Sequence, residues 1–105
     1  MDARVVHTIE QMQNRMHEAL TVPALAAEVG LSASRFAHLF RAEAGMAPMR
    51  YLRELRMSKA LALLERTCSS VRDVMAQVGY NDPSHFARDF RRQHGISPRE
   101  RRIAR

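Results

Sequence analysis

The chain repeats itself. Val22–Gly30 aligns with Val71–Gly79 at an offset of 49 residues, Ser34–Arg41 with Ser84–Arg91 at an offset of 50, and Gly45–Pro48 with Gly95–Pro98 at that same offset. One residue is therefore inserted between Gly79 and the helix that follows. Each copy reads as a short helix, a turn carrying a glycine, and a longer helix, which is the helix-turn-helix unit. A glycine in the turn takes positive φ without steric cost and lets the two helices cross steeply. Phe36/Phe40 and Phe86/Phe90 fall one helical turn apart, so each pair faces its short helix and closes a small core. Protein-binding solenoids use similar hairpins, but two copies are too few for a stable solenoid. These two are joined by a predicted helix of about 18 residues rather than stacked directly.

With 105 residues there is room for one domain, or one unit with two lobes. A catalytic barrel or a doubly wound sheet does not fit. Apolar positions recur at helical spacing throughout. Val5, Ile9, Met12, Met16 and Leu20 predict a first helix over about residues 3–19. Thr21 caps a second, with Pro23 in its first turn, running to Gly30; Ser32 caps a third, ending at Gly45. Pro48 opens a fourth that runs to about Arg66. Ser70, with Asp73 as a capping-box partner, starts a fifth that ends near Gly79. Asp82-Pro83 opens a sixth ending at Gly95, and Ser97-Pro98 a short seventh. No window alternates long enough for a strand. The predicted fold is all-α: seven helices in one domain over 1–105, with helix-turn-helix subdomains at 21–45 and 70–95 joined by a linker helix at 48–66.

Charge is distributed unevenly. Residues 1–50 carry five basic and five acidic side chains; residues 51–105 carry twelve and six, so the whole net charge of +6 lies in the second half. Sixteen of the basic residues are Arg, Lys59 being the exception. An Arg-rich basic surface suits an anionic partner, most often nucleic acid, though charge alone also serves solubility.

Hydrophobic residues, 46% of the chain, supply a core and argue against wholesale disorder. The single Cys68 excludes an intramolecular disulfide and any Cys-based metal cluster, in keeping with a reducing compartment. No apolar run approaches the roughly 18–20 residues of a membrane span. The opening MDARVVHTIE, acidic at its second position, does not read as a secretory signal. A soluble cytoplasmic protein is expected. His7, His17, His38, His85 and His94 form no HExxH or other close ligand pair, and no glycine loop cradles a phosphate. Asp82, Ser84 and His85 superficially resemble a catalytic set, but as neighbours at one helix start they suit capping and a DNA-facing role better. The expectation is no enzyme, no catalytic residue, no metal and no cofactor. Met12, Met16, Met57 and Met75 sit at core spacing, which disfavours a Met-rich peptide groove.

The second copy carries Val71, Val74-Met75-Ala76 and Val78-Gly79-Tyr80, then Asp82, Ser84, Phe86, Arg88 and Phe90-Arg91, then Gly95-Ile96-Ser97-Pro98 and Arg101. The first carries Leu25-Ala26, Val29-Gly30-Leu31-Ser32, Phe36, Leu39-Phe40, Gly45, Pro48, Tyr51-Leu52 and Arg56-Met57. In this ordered pattern, residues 5–104 resemble the DNA-binding domain of the AraC/XylS family of bacterial transcription regulators. The resemblance implies sequence-specific binding of double-stranded DNA, transcription activation and contact with RNA polymerase. It also implies a separate effector or dimerisation domain, so the chain is expected to be a piece of a longer regulator. The isolated domain is expected to be monomeric and the longer protein dimeric.

A recognition helix reads base edges in the major groove from its N-terminal half. Opposite the Phe pairs lie Ser34, Arg35, Ala37, His38 and Arg41 in the first copy, and Ser84, His85, Ala87, Arg88, Arg91 and Arg92 in the second. By resemblance, the base-reading positions are Ser34, Ala37, His38, Ser84, His85 and Arg88. The Arg88 guanidinium suits guanine O6 and N7, while Ala37 offers only a contact to a thymine methyl. Phosphate contacts are expected from Ser32, Arg35, Arg41, Arg50, Ser70, Arg91, Arg92 and Arg99. Asp89 is expected to pair with Arg92 or Arg56. The linker helix is about 27 Å long, and adding its flanking turns suits two recognition helices about one DNA turn apart, near 34 Å. A helical protein-interaction adaptor without DNA contact is the competing reading.

Overall fold

The computed structural model describes residues 1–104, with side chains through Arg102. Every regular element among them is an α-helix: α1 (Ala3–Asn14), α2 (Val22–Glu28), α3 (Ala33–Ala44), α4 (Pro48–Arg66), α5 (Val71–Gln77), α6 (Pro83–His94) and α7 (Pro98–Ala104). Two compact units divide the chain, residues 1–52 and the chain from residue 53 onward.

In the first unit, Asp2 caps α1 by accepting from the Arg4 amide at 2.8 Å. The Arg4 guanidinium returns to the same carboxylate at 3.0 Å, and these bonds hold the Asp2 carboxyl down at about 2. α1 ends at Asn14, well short of the predicted 19. At Arg15 the backbone leaves the helix (φ −125°), and Glu18 N–H closes a tight turn onto Arg15 O. The Arg15 guanidinium reaches Gln11, Glu18 and, at 3.1 Å, Glu28 at the end of α2. Met16 and Leu20 keep helical spacing in the sequence, but the helix stops before them, and Arg15 at its end bridges 13 residues to Glu28. Thr21 caps α2, and Ser32 caps α3 by accepting from the Arg35 amide at 3.2 Å. Between them Gly30 takes φ +72°, and Leu31 N–H bonds Ala26 O at 3.0 Å. That left-handed residue turns α3 back across α2. The core is Val5, Met12, Leu25, Ala26, Phe36, Phe40 and Leu52, all almost fully buried. Phe40 lies 5.8 Å from Phe36 and meets Tyr51 edge-on at 5.5 Å. Each such ring contributes roughly 1.5–3 kcal/mol by burial.

The second unit repeats this plan. Ser70 caps α5 through the Asp73 amide at 3.0 Å, and Asp82 caps α6 through the Ser84 and His85 amides. Tyr80 N–H bonds Met75 O, the counterpart of Leu31 onto Ala26. The core is Met57, Ala60, Leu64, Val74, Val78, Phe86 and Phe90. The end of α6 is tied to α4: Gln93 donates to Glu54 O and Ser58 Oγ, and His94 Nε2 lies 2.9 Å from Met57 O. The start of α7 is capped by Ser97. Its Arg102 donates to Thr67 O and Ser69 O, and Arg101 pairs with Glu65. α6 is thus fixed at both ends, by the Asp82 cap and by its bonds to α4.

Candidate nucleic-acid interface

Burying Phe36 and Phe40 turns the opposite side of α3 outward. Ser34, Arg35, His38 and Arg41 are exposed, and Ala37 is half-buried. Among the described residues Arg35 and Arg41 form no ion pair, so both guanidiniums are available to phosphates. Ser32 is exposed, but its hydroxyl already caps α3. Arg50 is exposed in the first turn of α4. The surface around α3 therefore offers two open cations and His38, with little hydrogen-bonding capacity at Ala37.

The α6 face is more basic. Ser84, His85, Arg88, Arg91 and Arg92 are all exposed, and Ala87 is half-buried. Asp82 takes the Ser84 and His85 amides, so of the three superficially catalytic residues Asp82 is a cap and the other two present their side chains outward. The Arg91 side chain is 63% exposed and pairs with Glu100 of α7 at 3.0 Å. Arg92 and Arg99 form no ion pair among the described residues. Ser70 is exposed and caps α5. Arg88 is 58% exposed, with Nε 3.6 Å from Asp89 Oδ1.

Asp89 differs from expectation. It is only 9% exposed and accepts a 2.6 Å hydrogen bond from the Tyr80 hydroxyl, with Arg88 beside its other oxygen. Tyr80 and Arg88 thus take the place of the expected partners Arg92 and Arg56. Asp89 precedes the core residue Phe90, and its carboxylate points back toward the turn instead of along the exposed face. Burial, the Asp89 hydrogen bond and its charge hold the Tyr80 hydroxyl well above the usual tyrosine range, against the pull of Arg56 and Arg53. Burial lowers the pKa of Arg56.

A cleft of about 870 Å³ opens where the starts of α5, α6 and α7 converge. Met75 and Phe86 help form its floor; Ser70, Arg72, Asn81 and Arg99 line it as well. Arg72 and Asn81 join this lining although the sequence pattern does not single them out. Arg72 lies in the first turn of α5 and Asn81 just before the cap of α6. Among the described residues no group of three metal-ligating side chains occurs, and no helix is long and apolar enough to cross a membrane.

Two helix-turn-helix units, each turning a hydrogen-bonding helix face outward, define a DNA-binding domain. Residues 25–103 match the family described as "Helix-turn-helix domain", and the chain belongs to the AraC/XylS family of DNA-binding transcription regulators. It is 36% identical over 104 residues to the "HTH-type transcriptional activator RhaS" of Escherichia fergusonii, covering 99% of this chain and 37% of that one. The DNA-binding domain of AdpA, "in complex with a target DNA", is similar at a TM-score of 0.92 and 32% identity, covering 98% of this chain and 93% of that one. The C-terminal domain of AraT, a response regulator from Geobacillus stearothermophilus, has a TM-score of 0.93 and 25% identity over 99% of this chain and 87% of that one. The chain spans about a third of the length of the curated relatives it matches.

Proposed function

We propose that this chain binds double-stranded DNA sequence-specifically, with residues 21–45 and 70–95 as two readers and 48–66 as the spacer. α3 and α6 enter successive major grooves. Ser34, Ala37 and His38, and Ser84, His85 and Arg88, face the bases. Ser32, Arg35, Arg41, Arg50, Ser70, Arg91, Arg92 and Arg99 face phosphates. The observation that carries this reading is the α6 face: Arg88, Arg91 and Arg92 stand exposed on a helix whose other side is locked by Phe86 and Phe90. Phosphate contacts supply most of the affinity and base contacts the register. The two readers are expected about one DNA turn apart.

The chemistry is binding, without catalysis. The domain works in the cytoplasm, is monomeric by itself, and activates transcription by contact with RNA polymerase. The name of the RhaS relative supports activation.

Selection of sites from random duplexes, followed by footprinting, tests the reading. Two protected blocks about 10 base pairs apart are expected. A footprint confined to one groove, with Arg88→Ala having no effect, refutes a DNA role for the second motif. No retention on DNA or heparin resin at moderate salt favours the adaptor.

A further inference from the structure

The two motifs share their backbone plan, so positions where they differ in kind are informative. Leu31 and Tyr80 are structural equivalents, since their amides close the same turn onto Ala26 O and Met75 O. Leu39 and Asp89 are equivalents at the 50-residue offset, as are His38 and Arg88. The first motif thus places two half-buried leucines where the second places a tyrosine and a carboxylate. The change is correlated: Tyr80 donates to Asp89 at 2.6 Å.

Packing does not call for this exchange. A buried carboxylate is unfavourable unless hydrogen-bonded, and an apolar pair of similar volume is commonly as stable or more so. The first motif fills the equivalent positions with leucines. The carboxylate's distinguishing feature is its neighbour. Tyr80 binds one oxygen, Oδ2, and the other, Oδ1, lies 3.6 Å from Nε of Arg88. Asp89 is nearly buried and anchored, whereas Arg88 extends into solvent at 58% exposure. The contact is an ion pair beyond hydrogen-bond distance; with Nε turned toward the carboxylate, the guanidinium leaves both terminal nitrogens for other partners, and those are the donors that suit guanine O6 and N7. Holding a long side chain in its binding geometry reduces the entropy lost when it engages a ligand.

We propose that Asp89, anchored by the Tyr80 hydroxyl, is a positioning residue that presents Arg88 to a guanine edge, so that this pair sets the base preference of the second motif. The inference rests on the reading of Arg88 as a base contact. It has a counterintuitive consequence. Asp89 is a negative charge on the DNA-facing helix, so it weakens binding to any duplex while sharpening discrimination. Removing it therefore tightens binding and broadens specificity.

The test takes the preferred duplex from site selection and measures Kd for it and for every single-base change, using the whole chain. Arg88→Ala should flatten the preference at one G·C pair, worth at least about tenfold in the parent protein. Asp89→Asn and Tyr80→Phe should cut that preference to within about threefold, at that pair alone, while Asp89→Asn binds random duplex more tightly. In the Arg88→Ala background Asp89→Asn should change no base preference, because the effect acts through Arg88. A merely structural role would instead weaken all positions together. If Asp89→Asn does not fold, Asp89→Leu, which installs the first motif's residue, replaces it with the same expectations. If Arg88→Ala flattens the pair and a folded Asp89 variant retains it, the positioning role is overturned and the base-contact reading stands. If Arg88→Ala leaves every preference intact, the base-contact reading fails and the positioning role fails with it.

Discussion

Removing two arginines from each motif tests which one holds DNA nonspecifically. The perturbations are Arg91→Ala/Arg92→Ala on α6 and Arg35→Ala/Arg41→Ala on α3. All four side chains are exposed, so their loss leaves both cores intact. Each phosphate contact removed lowers the slope of log K against log salt by about 0.9, so losing two lowers it by about 1.8. Between 50 and 200 mM salt, that makes the variant's loss of affinity about twelvefold smaller than the parent's. Residues 51–105 carry twelve basic and six acidic side chains against five and five in residues 1–50, so a sequence-independent complex should form mainly on the second motif. The expected result is a fall of about 1.8 for the α6 pair and less than about 0.9 for the α3 pair, read by fluorescence anisotropy on random duplex. The Arg91–Glu100 pair is the complication, since Arg91 must leave Glu100 to reach a phosphate. Exposed pairs of this kind are worth only about 0–1 kcal/mol, so Glu100→Gln should tighten binding modestly without lowering the slope. A fall for the α3 pair as large as for the α6 pair refutes the reasoning. If the α3 pair weakens DNA binding more while the α6 pair reduces transcription with affinity intact, the second motif serves RNA polymerase instead.

Phe86→Ala should destabilise the second unit by about 3–5 kcal/mol in denaturant melts, because the ring is 1% exposed and packs on Tyr80 and Phe90. A loss below about 1 kcal/mol would mean that this core is not what holds α6. Ser70→Ala removes the bond to the Asp73 amide and should cost about 1 kcal/mol, seen as a melting shift, with Ser70→Gly milder. In a spectrophotometric titration, the raised pKa of Tyr80 should delay its ionisation beyond the ordinary value of 10. Because the folded state favours the neutral phenol, this contribution to stability is complete below pH 10 and is lost as pH rises above it. Tyr80→Phe should abolish the late absorbance component; a component that persists would belong to another group.

The helix starts were legible because a cap is a local contract between a side chain and an amide two or three residues on. Thr21, Ser32, Ser70 and Asp82 all act where their types and spacing predict. The end of α1 was not legible, because apolar periodicity continues past the turn at Arg15, whose partner Glu28 lies 13 residues away. Asp89 failed for a related reason. Helix spacing offers Arg92 three residues on, but the carboxylate lies against the core and meets Tyr80 nine residues back. A signal was nevertheless present in the repeat: Leu31 and Leu39 change together to Tyr80 and Asp89. That points to where function is written in a duplicated fold. Positions the two copies share, such as the phenylalanine pairs and the turn glycines, are constrained by burial or backbone and say how the chain folds. Exposed recognition positions are free of both constraints, so one backbone accepts His38 in the first copy as readily as Arg88 in the second. A base preference has to be read from such differences, and from any buried residue, such as Asp89, that packing alone does not require.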